Sequence, residues 1–277
     1  MKVGYVIRNS GTGAVRSVRN MPKIAEDLGF STIWLTDHVI GVRAFAPVYE
    51  PEWAEIVVCL AHMAATTNTI RLGTGVLVIP YRDPVLTAKM LATIDNLSDG
   101  RVTLGIGTGW SKAEFAALGQ LDNFDARGAV TDESLDVILR CWQGGEFDWA
   151  GAAFQFRNMT FEPMPLQLPH PPIWIGGQSG PALRRAARIG DAWHPTNIPA
   201  AEVARLGASL DELAGRAVPR TIRIGVDADS LDAVADLLAE YEAAGCIEAA
   251  LQMRHNSYDY DLHVELMGQL AQRLQLS

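Results

Sequence analysis

Eight times along this chain a short apolar run is followed by a stretch with helical spacing, an order that few architectures accept. The runs are residues 2–8, 32–36, 70–78, 101–107, 173–175, 191–195, 221–226 and 248–253. Ile173-Trp174-Ile175 shows the type: a short, wholly apolar stretch, long enough for one strand of a buried parallel sheet. Between the runs lie helical stripes. Ile24, Ala25 and Leu28 form the first, with Pro22 near its start and Gly29 as its stop. Ile56, Leu60 and Met63 mark the next, then Leu86, Met90, Ile94 and Leu97 facing inward behind the capping pair Asp83-Pro84. Later stripes fall on Leu135, Ile138, Leu139 and Trp142, on Leu231, Val234, Leu238 and Tyr241, and on Leu262, Leu266, Leu270 and Leu274. The alternation predicts a parallel (β/α)8 barrel, a TIM barrel, formed by one domain over residues 1–277. Residues 146–164 break the rhythm, with Phe147, Trp149, Phe154, Phe156 and Phe161 among polar neighbours, and predict an inserted β-hairpin without chemistry of its own.

The remaining totals narrow the partners. A chain of 277 residues, 48% hydrophobic, buries one large core, and a net charge of −9 speaks against nucleic acid or an anionic membrane as the binding surface. Cys59, Cys141 and Cys246 are odd in number and far apart, so they read as buried apolar residues in a reducing compartment and not as a disulfide frame or zinc site. Residues 1–8 are too short an apolar run for a signal peptide, and no stretch is long enough to span a bilayer. A cytoplasmic protein is expected.

Barrels of this kind keep their chemistry at the C-terminal ends of the strands. That rule selects Asn9, Asp37-His38, the glycines around Gly75, Gly107-Thr108-Gly109-Trp110, Gly176-Gly177-Gln178-Ser179, and Trp193-His194. Around Gly176 a strand, a Gly-Gly turn and a helix opening at Pro181 present free N–H groups and a positive dipole end, which suit an anion. A tight strand-to-helix turn explains the same glycines. Gly73 and Gly75 inside the third run imply a bulge or a ligand lying against the backbone. No Ser or Cys elbow, no strand-end Lys and no metal-ligand spacing accompanies them, so no metal site is expected. Glycine, aromatic residues and a histidine fit a site that cradles a flat cofactor, with one side chain to exchange a proton. Arg8 and Arg43 read as solvated, and His194 as either pocket wall or rim packing.

Asp37-His38, Leu72-Gly73-Thr74-Gly75-Val76-Leu77-Val78, Leu97 to Arg101, Leu104 to Trp110 and Pro171 to Gly177 together resemble the bacterial luciferase-like superfamily, in order and over nearly the whole chain. Within it the chain looks most like the F420-dependent oxidoreductase branch. The resemblance implies a barrel that binds the deazaflavin F420, or alternatively FMN, at its mouth. It places a non-proline cis peptide at Gly75–Val76 beside Thr74, the cofactor phosphate at Gly176-Gly177-Gln178-Ser179, and Thr108 and Gly109 along the ribityl chain. It makes His38 the active-site histidine. By their own positions Asp37 is expected to orient His38 or the backbone, and Trp110, Trp193 and His194 to border the substrate. Trp110 stands where some F420 sugar dehydrogenases have a catalytic glutamate, and Ala192 replaces a usual glycine. The expected activity is hydride transfer to or from a small organic substrate by a homodimer. A reduced-FMN monooxygenase, a redox-inactive flavin-binding barrel and a barrel lyase or isomerase holding a sugar phosphate are the alternatives.

Overall fold

The structure, a computed structural model, describes residues 1–42, 52–254 and 259–276. Eleven strands occur among them: β1 Lys2–Val6, β2 Thr32–Leu35, β3 Arg71–Thr74, β4 Leu77–Val78, β5 Val102–Gly107, β6 Glu146–Ala150, β7 Gln155–Thr160, β8 Ile173–Gly176, β9 Ala192–His194, β10 Arg220–Asp227 and β11 Cys246–Arg254. β6 and β7 pair antiparallel as the expected hairpin, apart from the rest. The other nine form one parallel sheet in the order β3-β2-β1-β11-β10-β9-β8-β5-β4. Leu72 pairs with Val102 and Gly73 with Thr103, so β3 meets β5 and the sheet closes. β3 and β4 are two halves of one stave, parted by a cis Gly75–Val76 peptide. The result is an eight-staved (β/α)8 barrel.

The barrel's interior is organised by Trp34. Its ring is fully buried in a cluster with Val6, Trp174, Ala192 and Ala250. A Cβ on Gly4 or on Gly73 would lie 2.4 Å from a Trp34 atom, so both neighbouring staves lack side chains where the indole sits. Large and small residues interdigitate here as close packing requires. Trp34 donates its indole N–H to the buried Glu248 carboxylate at 3.2 Å.

Nine helices surround the staves among the described residues: α1 Ala14–Asp27, α2 Ile56–Thr66, α3 Pro84–Leu97, α4 Lys112–Ala117, α5 Arg127–Trp142, α6 Gly180–Ile189, α7 Ala200–Ala214, α8 Val234–Ala243 and α9 Tyr260–Arg273. α4 and α7 had no stripe in the sequence reading, and two others differ from it. α1 begins at Ala14 after Gly13, whose φ of 93° turns the chain, and so Pro22 lies inside the helix instead of near its start. Met21, Pro22 and Ala25 share its buried face. On α3, Leu86 and Leu97 face outward, while Thr87, Ala88, Leu91, Ala92, Ile94 and Asp95 are buried. The small residues let α3 approach closely enough for Trp142 to donate to the Ala88 carbonyl at 3.1 Å. Buried Asp95 is satisfied by the backbone and side-chain N–H groups of Gln167 at 2.9 and 2.7 Å. Ile94 and Met90 pack as expected; Leu86 and Leu97 do not, because hydrophobicity alone undervalues small and paired polar residues.

Candidate active site

The C-terminal ends of all eight staves open onto one cavity of about 600 Å³. Asp37, His38, Gly75, Val76, Gly107, Thr108, Gly109, Trp110, Gly176 and Gly177 line it, as do Arg8, Trp53, Thr196, Asn197, Arg223 and Gln252. The wall between β4, β5 and β8 is largely backbone, and the reason is Val76. A Cβ on Gly107 would come within 2.5 Å of one Val76 methyl, and a Cβ on Gly176 within 2.7 Å of the other. These two glycines make room for the side chain that the cis peptide projects between the staves. Gly177 has φ +101°, a conformation that favours glycine for its own sake.

Asp37 does not orient His38. Its buried carboxylate is gripped by Arg82 through two bonds of 2.6 and 2.9 Å and accepts the Val78 N–H at 2.9 Å. Burial pushes this carboxyl up, against the opposing pull of Arg82 and the Val78 N–H. Arg82 is also paired with Glu55 at 2.6 Å. Asp37 therefore ties the end of β2 to the strand that follows the cis peptide.

His38 is oriented from α4. Its Nδ1 lies 2.8 Å from Oε2 of Glu114, and the Val39 N–H donates to Oε1 at 3.0 Å. Tyr81 donates its hydroxyl to Oε2 at 3.2 Å. Glu114 is buried; burial raises its pKa, but His38, the Val39 N–H and Tyr81 outweigh this and hold the carboxyl below its usual range. The Tyr81 hydroxyl is pushed upward by burial and by Glu114, so it remains a donor. Trp53 packs on the imidazole with ring centroids 4.4 Å apart, and Trp110 meets it edge-on at 5.8 Å.

Six of the residues selected from the sequence stand outside the cavity lining. Asn9 is buried and ties the segment after β1 to those after β2 and before α2, donating to the carbonyls of Thr36 and Ala54 at 2.7 and 3.1 Å and accepting from Thr36. Thr74 turns inward to donate to the Gly105 carbonyl at 2.7 Å. Gln178 donates to the Thr196 carbonyl at 2.7 Å, and Ser179 caps its own helix by accepting the Ala182 N–H at 3.4 Å. Trp193 is fully buried and supports the Gly-Gly turn from below, its indole N–H 2.7 Å from the Gly177 carbonyl. His194 is buried against Trp34, with centroids 5.0 Å apart, and its Nδ1 lies 2.7 Å from the Thr221 hydroxyl. Burial and the nearby Arg223 bring its pKa down to about 3, so it packs as a neutral ring. Strand-end position alone does not decide what faces the mouth: Thr74, Trp193 and His194 are buried on their strands, while Asn9, Gln178 and Ser179 lie beyond the ends of β1 and β8.

Glu114, Tyr81, Arg82, Trp53, Arg223 and Gln252 were missed. Only Glu114 carried a signal, standing three residues after Ser111 in capping-box spacing. Trp53 reaches the site because residues 52–54 pair with the loop after β1, Ala54 donating to Asn9 and Gly11 to Glu52 at 2.9 and 2.8 Å. Arg223 donates to the Gly75 carbonyl and, at 2.7 Å, to Gln252, joining the cis peptide to the last two staves. Arg8 lines the cavity, contrary to a solvated role, and Arg43 lies outside the described residues.

This chain is similar to several known proteins. The luciferase-like monooxygenase family model matches residues 1–273. An FMNH2-dependent dimethylsulfone monooxygenase of Pseudomonas putida is 31% identical over 76% of this chain and 56% of its own length. A 5,10-methylenetetrahydromethanopterin reductase of Archaeoglobus fulgidus is 28% identical over 86% of this chain and 69% of its own. The chain thus spans little more than half the length of some curated relatives it matches. Among solved structures, an F420-dependent secondary alcohol dehydrogenase in complex with an F420–acetone adduct superposes with a TM-score of 0.79 at 15% identity, covering 99% of this chain and 98% of that one. The match over almost every residue, on a closed barrel with its glycine-walled mouth, shows that the chain belongs to the luciferase-like monooxygenase family.

Proposed function

We propose that this member of the family is an F420-dependent oxidoreductase of the cytoplasm, transferring hydride to or from a small organic substrate, with His38 exchanging the accompanying proton. One observation carries the reading. A single cavity brings together His38, the cis Gly75–Val76 bulge and the bare backbone of Gly107, Gly109, Gly176 and Gly177. Its volume of about 600 Å³ lies in the range of cofactor sites. The flat backbone wall suits a fused ring, and Arg8, Arg223, Gln252 and Thr108 supply donors for a ring rich in carbonyls. Gly177 and the start of α6 would hold the anionic end. When bound, the deazaflavin or flavin supplies the hydride carrier. The protein's part is to orient it, exclude water and move a proton at His38. A homodimer through α2 and α3 accompanies this reading, with Val58, Leu86 and Leu97 exposed on those helices.

Reduced FMN used with O2 is the second reading, favoured by the 31% identity to the dimethylsulfone monooxygenase. Titration of the purified protein with F420 and with FMN separates the two. About micromolar affinity for F420, at least tenfold tighter than for FMN, is expected. The reverse order moves the enzyme to the monooxygenases, and binding of neither removes both readings.

A further inference from the structure

We propose that Glu114 is the positioning residue of this site, fixing the His38 imidazole with its proton on Nδ1 so that Nε2 is the nitrogen that takes and returns the proton of the reaction. The inference rests on the reading of His38 just given. A carboxylate accepts hydrogen bonds and does not donate them, so the 2.8 Å contact places the proton on Nδ1. In the neutral ring Nε2 then carries the lone pair, and in the imidazolium it carries the second proton.

Four features support a carboxylate held for this purpose. Its donors come from two other elements, His38 and Val39 beyond β2 and Tyr81 in the turn after β4, so the pair is defined by tertiary structure on both sides. Ser111-Lys112-Ala113-Glu114 is a capping-box sequence, and Ser111 makes its half by accepting the Glu114 N–H. Glu114 leaves the other half of the box and turns both oxygens to His38, Val39 and Tyr81 instead. A buried carboxylate without such partners is strongly unfavourable, so the position is a costly one to fill with Glu for packing alone. The chain neighbour Asp37 is engaged by Arg82 and Val78, and among the described residues the carboxylate bonded to the imidazole is that of Glu114.

The test uses full-length, cofactor-free protein and long-range proton–nitrogen NMR of the His38 ring, assigned with His38→Ala. The wild type is expected to show the Nδ1–H tautomer, Glu114→Gln to lose it, and Glu114→Asp to restore it in part. In the loaded enzyme, Glu114→Gln is expected to lower kcat about 100-fold or more, within the range for a positioned proton donor, with KM and cofactor Kd within about twofold. An Nε2–H tautomer in the wild type overturns the proposal and needs no variant to be seen. So does an unchanged tautomer in folded Glu114→Gln, or a loss of cofactor affinity as large as the loss of turnover, the mark of a merely structural role. If His38→Ala keeps full turnover, the functional reading of His38 fails, while the wild-type spectrum still judges the pairing by itself.

Discussion

Replacing Gly107 by Ala tests whether the bare wall of the cavity exists for the sake of Val76. Gly107 lies outside the left-handed region, so alanine meets no backbone strain there. The whole effect then comes from the new Cβ, which would stand 2.5 Å from a Val76 methyl where 3.4 Å is ordinary contact. Relieving a gap of ~0.9 Å means moving Val76 or parting β4 from β5. Overpacking of that size costs about 1–3 kcal/mol, which in a chain of 277 residues corresponds to a fall in Tm of roughly 2–5 °C. Val76→Ala removes the two methyls and leaves the Val76 Cβ 3.5 Å or more away. In that background Gly107→Ala should be nearly neutral, so a double-mutant cycle should recover about 1–3 kcal/mol of coupling. Thermal melts of the four proteins supply the measurement. A single Gly107→Ala variant as stable as wild type, or additive effects in the double variant, would show that the glycine serves something other than Val76.

Three further outcomes are expected. His38→Ala should lower turnover by about 10²–10⁴-fold while keeping cofactor affinity, measured by steady-state kinetics beside a binding titration. Gly177→Val should weaken cofactor binding at least about tenfold, because φ +101° disfavours a β-branched residue and the side chain covers the backbone N–H groups; unchanged Kd would remove the anionic end from that turn. Glu26 shapes the acid limit of stability. Burial raises its pKa, but the N–H groups of Thr69, Ile70 and Asn68, with Lys23, outweigh this and bring it to about 2. Because the folded value lies below the ordinary 4.5, this contribution is complete above about pH 4.5 and is lost as pH falls toward 2. Urea midpoints at about pH 5 and pH 3 should drop less in Glu26→Gln than in wild type.

The barrel was legible because its signal repeats. Each stave is buried on both faces, so runs such as Ile33-Trp34-Leu35 and Ile173-Trp174-Ile175 are apolar throughout and stand out against the amphipathic helices. Glycine likewise announced the backbone-lined wall at residues 107, 109, 176 and 177, and the strand-end rule put His38 at the mouth, where it lines the cavity. These features are local, set by burial and by the lack of a side chain. What the linear chain left undecided was which strand-end side chains face the mouth and which partner each one finds. Asn9, Thr74, Trp193 and His194 turned out to pack or brace the chain, since their hydrogen bonds lie behind the cavity wall. Asp37, next to His38 in sequence, is held by Arg82, while the carboxylate on His38 comes from Glu114, 76 positions away. Only closure of the barrel brings α4 against the end of β2. Periodicity records how much of each residue is buried, but a hydrogen-bond partner is a matter of distance and direction in three dimensions.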